Sequence, residues 1–285
     1  MAFRNIKEVS QAYEDGRLHQ SFIYKSSTPS AGSANRWTDM SMGAGTPVYN
    51  AYVGGQLEAT QLIGSRNRGI NTGPDMAAGQ QKYLSQFSLA SPQTTNGPPL
   101  AYVIADYLMF YPLIDGDATE QQDMTNDVTL PRYSDGVGVK AFIVITTPMT
   151  SNGNILIGYT DSDGVDRTYT QSTVFAAAVG VSISCGPTSS ISQLPFVTIP
   201  EKGIKRINYV TNLTSLGGFY CICLCKPIAS MMQQEPLTIT EKSLVTSQMS
   251  MPRIYDGAYL NALIASSSTG APGSIRGQFD FIWSN

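Results

Sequence analysis

The chain has 285 residues, enough for one large β domain or for one domain with an appended segment, and enough to bury a substantial core. Its 18 basic and 21 acidic residues give a net charge of −3, and only 14% of its residues are charged, against about 25% in typical soluble domains. No run of Lys or Arg is present to neutralise phosphates, so we expect no direct binding to nucleic acid. No apolar segment approaches the ~20 residues of a membrane helix, so we expect no membrane partner.

A single histidine limits the catalytic sites that the chain can build. A Ser-His-Asp site, a Cys-His site or a His-rich zinc site would have to use His19. We therefore expect no enzyme, with no catalytic residue, no metal and no cofactor. The first sixteen residues include acidic side chains and lack an apolar core of signal-peptide length, which predicts synthesis in the cytoplasm.

A short amphipathic helix is predicted at the N-terminus. Residues 5–15 place Ile6, Val9 and Tyr13 at helical spacing, and Gly16 follows as a stop signal. A helix of this length does not persist alone in water. We expect its apolar side to dock on the body of the protein or on another subunit.

Residues 21–97 combine frequent Gly and Pro with scattered large apolar side chains, which disordered segments rarely contain. One interpretation is an extended N-terminal arm, over residues 1–95, whose aromatic and methionine side chains insert into a neighbouring subunit. The other is a set of ordered loops and short strands on the same domain, with one strand near residues 80–91. The candidate subunit-contact anchors under the first interpretation are Trp37, Met40, Met42, Tyr49 and Tyr52.

Two apolar runs on either side of a polar loop form the centre of the predicted fold. They are LAYVIADYLMFYPLIDG (100–116) and VKAFIVITT (139–147), which are rich in aromatic and β-branched residues and are closed by Gly and Pro. This composition predicts two buried strands. The segment from Asp115 to Lys140 carries six carboxylates and Arg132, which predicts an exposed acidic loop on a β scaffold.

Further strand patterns follow at short spacing, separated by turn residues, to give about eleven strands in all. They cover Asn154–Thr160, Arg167–Phe175, Ala176–Ser184, Phe196–Ile199, Ile204–Asn212, Phe219–Cys225, Leu237–Thr240, Tyr259–Ala265 and Ile275–Trp283. Many short strands without an interior helix predict an all-β fold, an antiparallel β-sandwich of jelly-roll type, over residues 96–285.

The segment DSDGVD (161–166) places three carboxylates on one tight connection and resembles part of a calcium loop. A calcium loop of the EF-hand type would need further oxygen ligands, a distal Glu and flanking helices. Because the segment lies between two predicted strands, we favour a solvated hairpin turn, for which Asp and Gly are suited.

Three of the four cysteines alternate along one predicted strand, FYCICLC. Cys221, Cys223 and Cys225 would share one face, about 6.5–7 Å apart along the strand, which is too far for a disulfide. Both faces of this strand are apolar, which predicts a central strand. We interpret these cysteines, and the separate Cys185, as small buried apolar side chains in a reducing compartment.

Five segments together resemble a family of virion structural proteins of tailed double-stranded DNA bacteriophages. They are RWTDMSMGAGTPVYNAY (36–52), QKYLSQFSL (81–89), YLMFYPLIDGDATEQQDMTNDVTLPRYSDGVGV (107–139), AYLNALI (258–264) and FDFIWS (279–284). They span most of the chain in order. Residues 165–203 share no motif with the family, and the family brings no catalytic motif to transfer.

The resemblance implies a virion protein on the capsid surface, a cement or decoration-type subunit whose partner is the major capsid protein. We expect a homo-oligomer, with a trimer preferred, made in the host cytoplasm. The alternatives are a jelly-roll protein that forms the shell itself and a head–tail component. From a different class, the alternative is a glycan-binding module that recognises a host surface through exposed aromatic side chains.

Overall fold

A computed structural model describes residues 3–26, 36–64, 68–92, 99–173, 179–184, 194–235, 237–247, 251–266 and 273–285. Within these ranges the elements follow one another as α1 (Ile6–Glu14), β1 (Leu18–Lys25), β2 (Trp37–Asp39), a 3₁₀ turn (Met40–Met42), β3 (Gly45–Thr46), β4 (Thr60–Gln61), β5 (Lys82–Ala90), β6 (Leu100–Asp115), β7 (Gln122–Asp123), β8 (Lys140–Ile145), β9 (Gly153–Asp161), β10 (Asp166–Thr173), β11 (Ile204–Asn212), β12 (Phe219–Gln233), β13 (Thr240–Ser243), α2 (Leu244–Ser247), β14 (Arg253–Ile254), β15 (Leu260–Ser266) and β16 (Ile275–Trp283).

The strands form three sheets. The terminal sheet has the order β13-β5-β16-β1-β3, and β14 also pairs with β5. The central sheet has the order β2-β15-β6-β12-β8, and β4 also pairs with β6. The four-stranded sheet has the order β10-β9-β11-β7, and the strand pairs of all three sheets are antiparallel. The predicted all-β fold class, an antiparallel sandwich with a short N-terminal helix, is confirmed.

The two long strands β6 and β12 hold the molecule together because they contribute to every large apolar cluster. Near Tyr102 and Ile104 they pack on Phe279 and Phe281 of the terminal sheet. Near Tyr111, at the other end of β6, side chains of the central sheet pack on the four-stranded sheet. The opposite face of these strands packs against the segment between β1 and β5. The predicted central position of the FYCICLC strand is confirmed, since β12 lies between β6 and β8.

Strand β12 continues well past the predicted end at Cys225. Pro227 cannot donate a backbone hydrogen bond, and proline in a sheet is usually found at an edge or a bulge. Here the pairing of β12 with β6 shifts register between Pro227 and Ala229. This β-bulge accommodates the proline, so the strand extends to Gln233.

The N-terminal helix forms at the predicted position and docks on its own chain. The side chain of Asn5 accepts a hydrogen bond from the Glu8 backbone N–H at 3.1 Å, which caps the first turn. Val9 is buried and packs with Tyr83 and Ile282 of the terminal sheet. No helix among the described residues is long and apolar enough to cross a membrane.

Three predicted strands differ from the structure. In the predicted strand 176–184, residues 176–178 lie outside the described part, and Val181 and Ser182 make only isolated bridges. Phe196–Ile199 is not a strand, although its apolar side chains are buried. The strand predicted at 237–240 begins only at Thr240, and α2 was not predicted. In the first two cases the apolar pattern reports burial, whereas a strand also requires a hydrogen-bonding neighbour; in the third, Leu237 and Ile239 are exposed.

The region predicted as an N-terminal arm contributes to the sheets of its own chain. All eight residues of β1 pair with β16, and β5 pairs with the opposite edge of β16. Between them, β2 pairs with β15 and β4 pairs with β6. The predicted domain boundary at residue 95 stays a prediction, because strand pairing does not show which part of the chain folds alone.

Candidate subunit-contact surface

Four of the five predicted anchor side chains lie in the core of their own chain. Trp37, Met40, Met42 and Tyr52 are each at most 3% exposed. Trp37, Met42 and Tyr52 pack on the central sheet. The prediction that these four contact a neighbouring subunit is therefore corrected, because their apolar surface is already covered. Tyr49, at 53% exposure, is the one of the five that reaches the surface.

A buried carboxylate explains why this segment is fixed to the body. Asp39 accepts hydrogen bonds from the Tyr52 hydroxyl at 2.5 Å and from the Tyr107 hydroxyl at 2.8 Å. It also accepts bonds from the Ser41 backbone N–H and hydroxyl. Burial raises the pKa of the Asp39 carboxyl, and these hydrogen bonds partly offset that effect. The network ties two loop residues to the middle of β6.

The cysteines of β12 face this network and are buried and free, as predicted for Cys221, Cys223 and Cys225. Burial raises the pKa of all three thiols well above the usual value, so they stay protonated at neutral pH. A protonated and buried thiol is a poor nucleophile and a poor metal ligand. Cys185 lies outside the described residues.

A buried ion pair anchors the loop that was predicted to be exposed and acidic. Arg132 binds Asp106 of β6 in a bidentate manner, with Nε–Oδ2 at 2.8 Å and Nη2–Oδ1 at 2.7 Å. Its Nη2 also donates to the backbone carbonyls of Leu62 and Tyr107. Both charged side chains are at most 5% exposed. No sequence pattern indicated this role, because Arg132 lies among turn and acidic residues.

The DSDGVD segment forms the hairpin turn between β9 and β10, as favoured from the sequence. The Asp161 side chain accepts hydrogen bonds from the backbone N–H groups of Asp163 and Val165, both at 2.9 Å. Its second oxygen pairs with Arg167 at 3.1 Å. The carboxylate thus stabilises the turn itself. Over the whole described part of the chain, no three His, Cys, Asp or Glu side chains come together as a metal site.

The outward face of the terminal sheet is an apolar exposed surface that the sequence prediction did not identify. We call it the outer face. On β1, Ser21, Ile23 and Lys25 point into the protein, whereas Phe22 and Tyr24 point outwards. On the far side of the sheet, two more large apolar side chains are exposed just before β13. The four residues Phe22, Tyr24, Leu237 and Ile239 are between 44% and 68% exposed.

Strand register places these side chains around one groove. Tyr24 pairs with Arg276 of β16, and Arg276 pairs with Ala90 of β5. Two residues further along each strand, Phe22, Gln278 and Ser88 form the neighbouring row on the same face of the sheet. Ser88 also pairs with Glu241 of β13. The groove has a volume of about 500 Å³. Its two sides are apolar, and its floor consists of small and polar side chains.

Arg276 is the one charged side chain among the residues that line the groove in the described part of the chain. Its guanidinium lies 5.4 Å from the centre of the Tyr24 ring, a cation–π contact that holds it on the surface. Glu241, in the neighbouring row that contains Phe22 and Ser88, is exposed at the rim of the groove. The outer face therefore combines an apolar groove with one cation and one nearby anion.

A signal for this face was present in the sequence but was ambiguous. The segment SFIYK alternates, as a strand with one exposed face does, yet both alternate sets contain apolar residues. Periodicity alone cannot tell which set points outwards. The pairing of β1 with β16, at the far end of the chain, decides it.

Comparison with known proteins does not place the chain in a family. No family model matches it, and no curated protein matches it. Among solved structures, T=1 particles derived from infectious bursal virus give a TM-score of 0.17 at 10% sequence identity, with 93% of this chain and 77% of that chain covered. A TM-score this low shows neither a shared fold nor a shared function.

Proposed function

We propose that this chain is a structural protein of a tailed-bacteriophage particle. In this role it binds the outside of the head as a small homo-oligomer and braces the contacts between major capsid subunits. The assignment to a phage particle rests on the five sequence segments that resemble such proteins. The proposed location is the virion, after synthesis in the host cytoplasm.

The outer face of the terminal sheet supports a contact role. Large exposed apolar patches on soluble proteins usually mark sites of interaction. Here the patch lies on a six-stranded sheet whose inward side packs on the central sheet, so it is presented rigidly. A rigid surface loses little conformational entropy when it binds, which favours a permanent contact.

A non-catalytic role agrees with the placement of the reactive side chains. Asp39, Asp106 and the three cysteines of β12 are buried, and the two carboxylates are occupied by hydrogen bonds within the chain. They can stabilise the fold, but a substrate could not reach them.

The physical benefit of such a subunit is multivalency. A protein that contacts several shell subunits at once raises the cost of separating them, because its contacts must break together. Packaged DNA presses the shell outwards, so bracing of this kind would increase the resistance of the head to rupture. A copy number of three, preferred from the sequence, would suit a junction of three shell subunits.

The proposal is tested by the composition and stability of purified particles of the encoding phage. We expect this chain at a fixed ratio to the major capsid protein, with many copies in each particle. Particles made without it should rupture at a lower temperature, and addition of the purified protein should restore the wild-type temperature.

Absence of the chain from purified particles would contradict the proposal. A copy number of only a few per particle would instead indicate a head–tail component. Particles that cannot form a shell at all without this chain would indicate a shell-forming protein. Binding to a glycan array together with absence from particles would favour the host-surface alternative.

A further inference from the structure

We propose that residues 70–76 form an acid-sensitive strap, which closes over His19 at neutral pH and opens when the imidazole ring gains a proton. His19 is the one histidine of the chain. The strap runs from the central sheet to the inner side of the terminal sheet, just before β5. This device does not depend on the capsid role, because it rests on packing within one chain.

Three contacts hold the strap closed. At its start, the backbone N–H of Ile70 donates to a carbonyl of β15 at 2.8 Å. In its middle, Gly73 lies so close to His19 that an added Cβ atom would be 2.7 Å from the Cγ atom of the ring. At its end, the backbone N–H of Met76 donates to the Asp256 carboxylate at 3.2 Å. The imidazole ring therefore lies under the middle of the strap.

The imidazole ring is held in one neutral form. It stacks on Phe281 of β16, with the ring centres 6.4 Å apart. The ring also makes a hydrogen bond to the backbone of Asn71, in the strap. Its Nε2 atom is buried and has no hydrogen-bond partner among the described residues. The bond to Asn71 therefore uses Nδ1, which donates, and Nε2 carries the lone pair.

Protonation would give the ring a second N–H group that has no acceptor. A buried donor without a partner is destabilising, and a charged one more so. As long as the strap is closed, Nε2 is shielded from water. The new N–H group is satisfied if the middle of the strap moves away from the ring and lets water reach it.

The charged groups around the ring oppose protonation as well. Lys82 of β5 is fully buried, and its Nζ atom lies 3.7 Å from the nearest carboxylate oxygen, which belongs to Asp256. Asp75 of the strap also lies near Lys82, and both carboxylates are exposed to solvent. Asp280 of β16 is bound on the other side of the sheet by an outward side chain of β1. Burial, and then the charge of Lys82, lower the pKa of His19.

A cavity beside the strap gives it room to move. The cavity has a volume of about 310 Å³ and is lined by residues 70–75 together with Gly64, Gly257 and Ala258. A space of this size holds several water molecules. The strap is therefore packed against His19 but borders open space elsewhere, so it can shift without disturbing the sheets.

The direction of the pH dependence follows from the lowered pKa of His19. When the strap is open and the ring is solvated, we expect its pKa near the ordinary 6.5, whereas in the closed form it lies lower. The closed strap is therefore fully favoured above pH 6.5. This preference is lost as the pH falls through the lower pKa of the closed form.

The test is hydrogen exchange of the strap amides, measured by mass spectrometry at pH 7.5 and pH 5.5 and corrected for the intrinsic exchange rate. We expect the protection of residues 70–76 to fall at least about threefold at the lower pH, the factor that half a pKa unit represents. The amides of β11, in the four-stranded sheet, should keep their protection and serve as the internal control.

Two variants assign the effect to His19 and its neighbour. His19→Asn keeps an N–H donor close to the position of Nδ1 but cannot titrate, so its strap should be equally protected at both pH values. Lys82→Met removes the neighbouring cation, so it should raise the pKa of His19 and reduce the loss of protection at pH 5.5. Lys202→Met, the same substitution at an exposed position, should respond as wild type does. Circular dichroism confirms that each variant is folded.

Nuclear magnetic resonance of the single imidazole ring checks the account in the unmodified protein. We expect a pKa below 6.5 for His19. A value at or above 6.5, or equal strap protection at both pH values, would overturn the proposal. Greater protection at pH 5.5 would also overturn it, because the protonated ring would then be bound by Asp75 instead of released. None of these results bears on the capsid role, which the particle experiment tests separately.

Discussion

Buried charged side chains in this protein lie where distant parts of the chain meet. Lys25, at the end of β1, donates to the carbonyls of Gly43 at 3.1 Å and Pro47 at 2.5 Å. Arg132 joins β6 to the segment that contains Leu62. Buried charges add little net stability when paired, but removing one partner is costly. These residues therefore specify how the loops lie on the sheets.

Lys25 predicts a measurable pH dependence. Burial lowers the pKa of its amino group to about 8 from the usual 10.5, although the nearby Asp39 opposes this shift. Between pH 8 and pH 10.5, therefore, the Lys25 amino group binds its proton more tightly in the unfolded chain than in the folded protein. The stability contributed by this pKa difference is therefore full above pH 10.5 and is lost as the pH falls through about 8.

The measurement is urea unfolding of wild-type protein and of Lys25→Met from pH 7 to pH 10.5. The difference in free energy of unfolding, wild type minus variant, should rise by on the order of 3 kcal/mol between pH 8 and pH 10.5. Lys202→Met, the same substitution at an exposed position, is the matched control. A flat difference for Lys25→Met would show that the amino group is solvated in the folded protein.

At the level of elements, β1 and β16 join the two ends of the chain. Each residue of β1 pairs with one residue of β16, and β16 in turn pairs with β5. Ile23 of β1 packs in the same apolar cluster as Phe279 and Phe281. The N-terminal region thus forms part of the core of the terminal sheet.

Two truncations separate the helix from the strand. Deletion of residues 1–16 removes α1 and the packing of Val9, which should lower stability by about 2–3 kcal/mol and leave a cooperative transition. Deletion of residues 1–26 also removes β1, which exposes the edge of β16 and opens the cluster around Ile23. We expect that shorter protein to lack a cooperative thermal transition.

Thermal unfolding followed by circular dichroism measures both truncations. If the protein without residues 1–26 unfolds cooperatively near the wild-type temperature, that segment is separable from the rest of the chain. That result would contradict the role of β1 in the core of the terminal sheet.

Prediction from the sequence succeeded where local pattern and tertiary structure agree. The strand Ile275–Trp283, the strand Ile204–Asn212 and the N-terminal helix were located from periodicity and turn signals. Phe196–Ile199 has the same apolar character but does not form a strand. Pairing between distant segments decides such cases, and a single sequence does not contain that information.

The candidate site was harder to predict than the fold for a related reason. Trp37 and Tyr52 lie in a Gly-rich and Pro-rich segment, and composition cannot say whether they pack on their own chain or on a neighbour. The Asp39 network and the central sheet resolve this in favour of their own chain. Phe22 and Tyr24 face outwards because the other face of β1, which carries Ile23, packs in the apolar cluster of the terminal sheet, and the pairing of β1 with β16 decides this.

For the whole molecule, the sheets form a rigid body that presents one apolar face outwards. The three apolar clusters around β6 and β12 connect all three sheets, so the body can transmit force between the surfaces that it contacts. This is the mechanical property required of a subunit that braces a shell. The outer face is the surface through which we expect such a contact to be made.

The bracing role is tested most directly by a density map of the phage head at a resolution that shows side chains. We expect density for this chain on the outside of the shell, touching more than one major capsid subunit. We also expect Phe22, Tyr24, Leu237 and Ile239 to be covered by another protein chain. A head with no density for this chain, or one in which this groove faces solvent in every copy, would contradict the bracing role.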